Sequence, residues 1–411
     1  MKKISESKSL LIKIFFSIFI GCIFFYLSLD YRVWVNFWHS LSIPAQTPFS
    51  DFKAHIYYYE CFENGINIYI DKCNLIPEGT SKISTHPTIW LTIVKIFNLQ
   101  NEFTYNFFLI FIYSIYFYCL TELFFSFDTF KNKVFLIIFF LSTSNFILIE
   151  RFATDMILFI LVYIILSTDK KIIQIFVIFI GILLKYYPIF LTSIFIKNKK
   201  ILILTSIIYT LFIFVFYIDE VRLISKNILE IALMIAYGSR TIAKSFYHLS
   251  SEYGFFINDR NYQFFKNTLI LMFGIYSLIL ILMGHKFNQG NMKNLTNKIE
   301  NYFVGGASIY VGTFIIGSNF DYRLIFLIFT IPYLMSLKNS KIKYILIICY
   351  IFSINSFLLQ HSNFLFYSDI KHWIYYLKSF LLFFCKFLIF TFLSYLLGSH
   401  LKNINFFSFK K

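Results

Sequence analysis

The sequence alternates long apolar runs with short segments that are rich in lysine and asparagine. Ten apolar runs reach or approach the length of about 20 residues that a membrane-spanning helix needs. They are residues 10–29, 104–124, 134–149, 152–168, 201–218, 264–283, 302–319, 324–337, 342–359 and 374–397. The shorter runs suit helices that are packed inside other helices. The pattern therefore predicts an all-α polytopic membrane protein with about ten transmembrane helices.

One further apolar run, IIQIFVIFIGILLKYYPIFLTSIFI at 172–196, carries Lys185 and Pro188 near its middle and lysines at both ends. If both ends lie on the cytoplasmic side, the run must form two half-length helices that turn at KYYP. Lys185 would then lie at the apex of a re-entrant hairpin. The alternative is one kinked helix in which the Lys185 side chain extends to the membrane interface. We favour the hairpin.

Two long segments separate the runs, at 30–103 and 219–263, and both are rich in aromatic residues. In the first segment, Ser50 is a suitable N-cap and the dipeptide NG at 64–65 is a suitable helix end. A second short helix is predicted to begin at Pro87. Both are interpreted as interfacial helices in one integral membrane domain that covers residues 1–411. The apolar face of the first helix is predicted to consist of Phe52, Ile56, Tyr59 and Phe62.

Composition and charge support this topology. Of the 411 residues, 58% are hydrophobic and 14% are charged, which excludes an ordinary soluble domain. The net charge of +16 does not indicate nucleic-acid binding, because the basic residues lie in short clusters between apolar runs. With the N-terminus inside, the cytoplasmic segments hold 20 lysines and arginines against four acids, and the rest of the chain holds 17 against 17. This asymmetry predicts cytoplasmic termini and extracytoplasmic segments at 30–103 and 219–263.

Asp51 lies at the start of the first predicted loop helix. Acids are common in the first turn of a helix because they oppose the helix macrodipole, and this alone can explain Asp51. The alternative interpretation is a carboxylate held at the membrane surface as a general base. A helix start favours the ionised form, which keeps the carboxylate available but makes it a weaker base.

The other polar residues of this loop have more than one interpretation. His55 and His86 have no second His or Cys at ligand spacing, so a hydrogen-bonding role is favoured over a metal-binding role. Cys61 and Cys73 share the loop and either form a disulfide or stay reduced. Because no nucleotide-binding or zinc-binding motif occurs, the sequence predicts no cofactor and no metal ion.

Polar side chains also stand at the outer ends of predicted spans. Arg151 and Asp155 are one helical turn apart in IERFATDMILF, where an ion pair within one helix is the default interpretation. GSNFDYRLIFL places Asp321 and Arg323 in a similar position. Together with Lys185, these residues favour a site for an anionic lipid-linked group on the outer side of the membrane. Three cations of the second long segment are typical of a solvated face: Arg240, Lys244 and Arg260.

Five short motifs follow one another along the chain: SDFKAHIYYYECFENGINIY, THPTIW, ERFATDMILF, LLKYYPIFL and NFDYRLIFLIFTIPYL. In this order they resemble the motifs of the polyprenyl-phosphate-sugar-dependent glycosyltransferases of the GT-C superfamily, particularly the mannosyltransferase-like family 87. The resemblance covers roughly residues 30–335. The sequence departs from the family pattern at His55 and His86, where aromatic residues are usual, and at Phe152 and Ala153, which replace Gly-Asn.

This resemblance implies a GT-C-like fold and the transfer of a mannose-like hexose, with inversion, from a polyprenyl-phosphate carrier to a glycan or lipid-linked acceptor. The reaction would occur on the extracytoplasmic side of a bacterial plasma membrane, among membrane lipids and without nucleic acid. Asp51 would take the proton of the acceptor hydroxyl, and Lys185 would neutralise the leaving lipid phosphate. The resemblance implies substrate-binding roles for Tyr187, His86, His55, Arg323, Asp321, Arg151 and Asp155.

Other classes of membrane protein share parts of this pattern. A transporter or flippase would show broken or ionisable positions near mid-membrane in paired halves, whereas this chain has one broken run and polar groups on one side. A polysaccharide polymerase would share a lipid-linked substrate and an outer site, so the sequence leaves it open. A non-catalytic scaffold would leave the acids of the first loop unexplained.

Overall fold

The computed structural model describes residues 2–41, 43, 45, 47–76, 83–127, 129–227, 236–252, 258–286, 296–337, 340–361 and 371–403. These ranges are almost entirely helical, which confirms the all-α prediction. Within them the strands are two dipeptides, β1 (Ala236–Tyr237) and β2 (Asn319–Phe320), which pair antiparallel.

The chain divides into two compact units. Unit 1 comprises Met1–Ile137, Phe146–Tyr186 and Phe212–Ile228, and unit 2 comprises Ile138–Asn145, Tyr187–Leu211 and Leu229–Lys411. The helices of the first half of the chain are α1 (Lys2–Ser28), α2 (Tyr31–Ser40), α3 (Ser50–Glu63), α4 (Ile89–Ile96), α5 (Glu102–Ser126), α6 (Phe130–Phe140), α7 (Thr143–Arg151), α8 (Thr154–Ser167), α9 (Lys171–Leu184), α10 (Lys199–Phe212) and α11 (Ile218–Asn227).

Three segments of other helix types interrupt the α-helices. Tyr187–Lys197 and Asp321–Thr330 are 3-10 helices, and Ile213–Tyr217 is a π-helical turn that joins α10 to α11. The remaining helices are α12 (Ser239–Glu252), α13 (Asp259–Lys286), α14 (Asn297–Ile316), α15 (Ile331–Ser336), α16 (Ser340–Ile354), α17 (Ser356–His361) and α18 (Lys371–Asn403).

Within the described ranges, five helices are long and apolar enough to cross a membrane: Leu10–Ser28, Glu102–Ser126, Lys199–Asn227, Arg260–Lys286 and Leu377–Leu401. Helices α6 and α7, bent by 49°, make a sixth if they count as one span. These six coincide with predicted runs. The other four runs fall on α8, α14, the second 3-10 segment with α15, and α16, and the total of ten spans remains a prediction.

The apolar run at 172–196 is broken at the predicted place. Helix α9 ends at Leu184, and Lys185 adopts an extended conformation with φ −160° and ψ 139°. The second half begins at Tyr187 as a 3-10 helix rather than an α-helix. Pro188 lacks the backbone N–H that would continue the α-helical hydrogen bonds, which explains why α9 does not run through it.

The described residues of the first loop form three short helices, whereas the sequence predicted two. Helix α2 was missed, although Asp30 caps it by accepting the Arg32 N–H at 2.8 Å and the Val33 N–H at 3.2 Å. The N-cap prediction for Ser50 was wrong, because Ser50 is the first residue of α3 and Phe49 occupies the cap with a left-handed φ of 59°. Likewise, α4 begins at Ile89 rather than at Pro87.

Helix α3 ends where the sequence predicted: Glu63 is its last residue, Asn64 is the C-cap and Gly65 follows with φ 78°. Phe52, His55, Tyr58 and Tyr59 of α3 are buried in the protein, whereas Phe62 is 52% exposed. The apolar face that α3 presents to the membrane interface stays a prediction.

Cys61 and Cys73 form a disulfide with their Cα atoms 5.9 Å apart. The bond ties the last turn of α3 to the chain that leaves it. The sequence left this pairing open, and the structure decides it in favour of the disulfide.

Two glycines allow helices α13 and α18 of unit 2 to approach each other closely. A Cβ added at Gly284 of α13 would lie 1.9 Å from the Tyr395 carbonyl oxygen, and one at Gly398 of α18 would lie 1.9 Å from the Ile281 carbonyl oxygen. Between these helices the hydroxyls of Ser277 and Ser394 lie 3.1 Å apart. Small residues let helix backbones approach closely, and polar side chains then bond across the contact.

We predict that Gly284→Ala and Gly398→Ala each destabilise the protein. The added methyl groups would clash with backbone atoms, and overpacking of this kind costs about 1–3 kcal/mol. Thermal unfolding of the detergent-solubilised protein measures the effect. Gly274→Ala on the same helix α13 is the control, because its Cβ would lie an ordinary 3.9 Å from Ile315. Equal melting temperatures for Gly274→Ala and Gly284→Ala would contradict the close contact.

Candidate functional site

The polar centre of unit 1 begins with a buried ion pair. The Asp155 carboxylate has no exposed surface, and its Oδ2 lies 2.5 Å from the Lys185 Nζ. Asp155 is in the first turn of α8, and Lys185 caps the C-terminus of α9. Each charge therefore lies at the helix end whose dipole favours it. A short connection joins α8 to α9, so the start of α8 and the end of α9 meet at the same level.

A helix break separates Arg151 from Asp155. Helix α7 ends at Arg151, Phe152 has a left-handed φ of 48°, and α8 begins at Thr154. The prediction that Arg151 and Asp155 lie one turn apart on one helix was therefore wrong. The Phe152 side chain is fully buried, and its ring lies 5.0 Å from the ring of Phe52. Such packing can hold a non-glycine residue in a strained conformation.

Asp51 lies in the first turn of α3, with its side chain 25% exposed. Its Oδ1 is 3.8 Å from the Arg151 guanidinium, which also lies 3.8 Å from a Glu150 oxygen. The Phe49 N–H donates to the Glu150 carbonyl at 3.3 Å and so fixes the start of α3 against the end of α7.

The surroundings of Asp51 change its acidity in the direction opposite to the sequence expectation. Burial raises the pKa of the Asp51 carboxyl above its ordinary value, while Arg151 and Lys185 act to lower it. The expectation rested on the helix dipole alone and did not include desolvation. A raised pKa makes the carboxylate a stronger base.

His55 joins three helices of unit 1. It is 1% exposed, and its Nε2 lies 3.2 Å from the Thr154 hydroxyl at the start of α8. Its ring stacks on Trp90 of α4 at 4.4 Å and meets the edge of His86 at 4.5 Å. Burial, with a further contribution from Lys185, lowers the pKa of His55 to about 3. His55 is therefore neutral at physiological pH, which agrees with a hydrogen-bonding role.

Glu220, which the sequence analysis did not single out, fixes the start of α4. Its carboxylate accepts hydrogen bonds from the Thr88 hydroxyl at 2.6 Å and the Tyr186 hydroxyl at 2.6 Å. The Tyr69 hydroxyl donates to the His86 carbonyl at 2.7 Å. Glu220 thus links the loop that carries His86 to the residue next to Lys185. An acid directly after an apolar run, as in FVFYIDE, was the available signal.

The remaining predicted residues lie in unit 2. The Arg323 guanidinium lies 5.4 Å from the centre of the Tyr187 ring and donates to the Asn319 side chain. Asp321 is buried, and both its oxygens accept hydrogen bonds from Lys386 at 2.7 and 2.8 Å. Lys386 lies in an apolar stretch of α18, so its need for a buried partner was the signal that sequence reasoning missed.

The three cations of the second long segment do not act as one solvated face. The Lys244 ammonium lies over the rings of Tyr247 and Tyr262, at 5.2 and 5.9 Å. The Arg240 backbone N–H donates to the Gly317 carbonyl at 3.4 Å, whereas Arg260 is exposed.

Unit 1 thus brings together six of the predicted site residues: Asp51, His55, His86, Arg151, Asp155 and Lys185. Tyr187, Asp321 and Arg323 belong to unit 2. In the part of the chain that the structure describes, no three His, Cys, Asp or Glu side chains converge closely enough to hold a metal ion together.

The low pKa of His55 predicts a pH-dependent stability. The folded protein keeps His55 neutral down to about pH 3, whereas the unfolded chain protonates it below about pH 6.5. Wild type should therefore lose up to about 1.4 kcal/mol of stability per pH unit below 6.5, relative to His55→Gln. Thermal unfolding between pH 7.5 and 5 measures the slopes.

The exposed His39 supplies the control for this experiment. His39→Gln should keep the wild-type slope. A slope in His55→Gln that equals that of wild type would contradict the neutral, buried state of His55.

Comparison with known proteins does not assign this polar centre. No protein-family model matches the chain, and neither a curated protein nor a solved structure is significantly similar to it. The functional proposal therefore rests on the side chains of unit 1 and on the motifs that carry the sequence resemblance.

Proposed function

We propose that the protein is a membrane glycosyltransferase. It moves a mannose-like hexose from a polyprenyl-phosphate carrier to a glycan or lipid-linked acceptor on the extracytoplasmic side, with inversion at the anomeric carbon. We also propose a topology with about ten transmembrane segments. It includes a re-entrant hairpin at Lys185, interfacial helices in the first loop and cytoplasmic termini.

The position of Asp51 next to two cations supports this proposal. The carboxylate of Asp51, on the first loop, lies beside Arg151 and close enough to Lys185 for that cation to affect its pKa. A general base and two cations in one half-buried cluster are what the transfer of a sugar from a phosphate requires. The sequence resemblance selects these residues independently of their distances.

In the proposed reaction, Asp51 accepts the proton of the acceptor hydroxyl as that oxygen bonds to the anomeric carbon. The bond between the anomeric carbon and the phosphate oxygen breaks, and the polyprenyl phosphate leaves with the electron pair. Arg151 and Lys185 donate hydrogen bonds to the phosphate as its charge develops. The raised pKa of Asp51 suits this role, because a stronger base takes the proton more readily.

The ion pair explains how Lys185 can be held in place without losing its role. An ammonium has three N–H donors, and Asp155 accepts one of them at 2.5 Å. The side chain of Lys185 remains 11% exposed. Asp155 is thus proposed to position the ammonium of Lys185 for contact with the phosphate. The rings of His55 and His86 contact each other next to this cluster. Binding roles for Tyr187, Asp321 and Arg323 stay predictions.

The test is sugar transfer in proteoliposomes that contain a panel of radiolabelled polyprenyl-phosphate sugars and a membrane-extract acceptor. Wild type should transfer sugar from one donor, and Asp51→Asn should lower that rate by about 100-fold or more, because the amide cannot take the proton.

Asp71→Asn is the matched control, since Asp71 lies exposed in the same loop and should leave transfer unchanged. Transfer by Asp51→Asn at the wild-type rate would refute the role of Asp51. If wild type uses only diphosphate-linked oligosaccharides, the polymerase alternative replaces the proposal.

A further inference from the structure

Helix α3 faces a cavity on the side away from Asp51. Lys53 and Tyr57 of α3 line it, and Lys53 is two residues beyond Asp51 and therefore on nearly the opposite side of the helix. The cavity has a volume of about 370 Å³. This is within the range of small-molecule sites, roughly 300–1,000 Å³.

The cavity lies at the ends of two candidate membrane spans. Phe25 and Leu29 line it from the C-terminal end of α1, and Glu102, Tyr105 and Asn106 line it from the first turns of α5. Because both spans terminate here, the cavity is at the level where the hydrocarbon core gives way to lipid headgroups. Its apolar residues face the end of the hydrocarbon, and its polar residues lie at headgroup depth.

Two polar groups in the cavity have no hydrogen-bond or ion-pair partner among the described residues. The Lys53 ammonium is half-buried, and no residue in the described ranges forms an ion pair or a side-chain hydrogen bond with it. The Tyr105 side chain is 8% exposed, and its hydroxyl likewise has no hydrogen-bond partner among the described atoms. Buried polar groups are normally satisfied, so a cation and a donor that face one cavity indicate an anionic ligand.

Burial lowers the pKa of the Lys53 ammonium. A bound anion would reverse this shift, because it would supply the missing charge. The amide side chains of Gln100 and Asn106, which also line the cavity, add donors for anion oxygens.

Glu102 restricts the charge of that anion. Its carboxylate is exposed at the rim of the cavity and would repel a group that carries nearly two negative charges, such as inorganic phosphate or a phosphomonoester. A phosphodiester carries a single charge and is repelled less. The apolar residues Phe25, Leu29 and Ile56 further favour a ligand with attached hydrocarbon.

We propose that this cavity binds the phosphodiester headgroup of a membrane phospholipid, with Lys53 as the charge partner and Tyr105 as a hydrogen-bond donor. The site is separate from the polar centre at Asp51 and does not depend on the proposed transfer reaction. It would fasten α3, and with it Asp51, to the membrane interface.

Native mass spectrometry of the detergent-solubilised full-length protein tests the proposal. The protein is titrated with dioleoyl phosphatidylglycerol, dioleoylglycerol or inorganic phosphate, and the dissociation constant of the first bound molecule is compared. Phosphatidylglycerol should bind, and Lys53→Met should weaken that binding by about tenfold or more. Tyr105→Phe should weaken it by about fivefold, because one neutral hydrogen bond is lost.

Lys95→Met is the matched control, since Lys95 is exposed on α4 and does not line the cavity; its affinity should equal that of wild type. Equal affinities for wild type, Lys53→Met and Tyr105→Phe would overturn the site. Equally tight binding of inorganic phosphate would overturn the lipid assignment, and equally tight binding of dioleoylglycerol would overturn the role of the charge. If Lys53→Met does not fold, the Tyr105→Phe comparison alone decides.

Discussion

The ion pair between Asp155 and Lys185 is the interaction on which the polar centre of unit 1 depends. Burying two charges costs several kcal/mol of desolvation each, so the pair persists only with good geometry and further support. Support comes from the helix ends on which the charges lie and from a distance of 2.5 Å between them. The pair also holds the end of α9, where the indole of Trp90 donates to the Leu184 carbonyl at 3.2 Å. Helix α4 of the first loop is thereby fixed to the same point.

Aromatic packing around the ion pair makes its surroundings partly inaccessible to water. His55 stacks on Trp90, and Phe52 packs on Phe152 at the break between α7 and α8. Low local polarity explains both shifts at the site, the raised pKa of Asp51 and the lowered pKa of His55. The same packing that stabilises unit 1 thus also sets the acidity of Asp51 and of His55.

Much of the helical framework could be predicted from the sequence, because apolar periodicity and lysine clusters are local signals. The break at Lys185 was predictable for the same reason. The pairing of Arg151 was not, since a phenylalanine with positive φ at position 152 gives no sequence signal. Glu220 and Lys386 were missed because their partners lie more than 30 residues away in the chain. Isolated charges beside or within apolar runs were the only hints.

A double-mutant cycle on Asp155 and Lys185 tests whether the two charges stabilise each other. The melting behaviour of Asp155→Asn, Lys185→Met and the double variant is compared with that of wild type in detergent. Each single variant leaves a buried charge without its partner and should lose about 3–5 kcal/mol, whereas the double variant should lose clearly less than the sum. Losses of stability that simply add would show that the ion pair does not hold the polar centre together, because the two charges would then not stabilise each other.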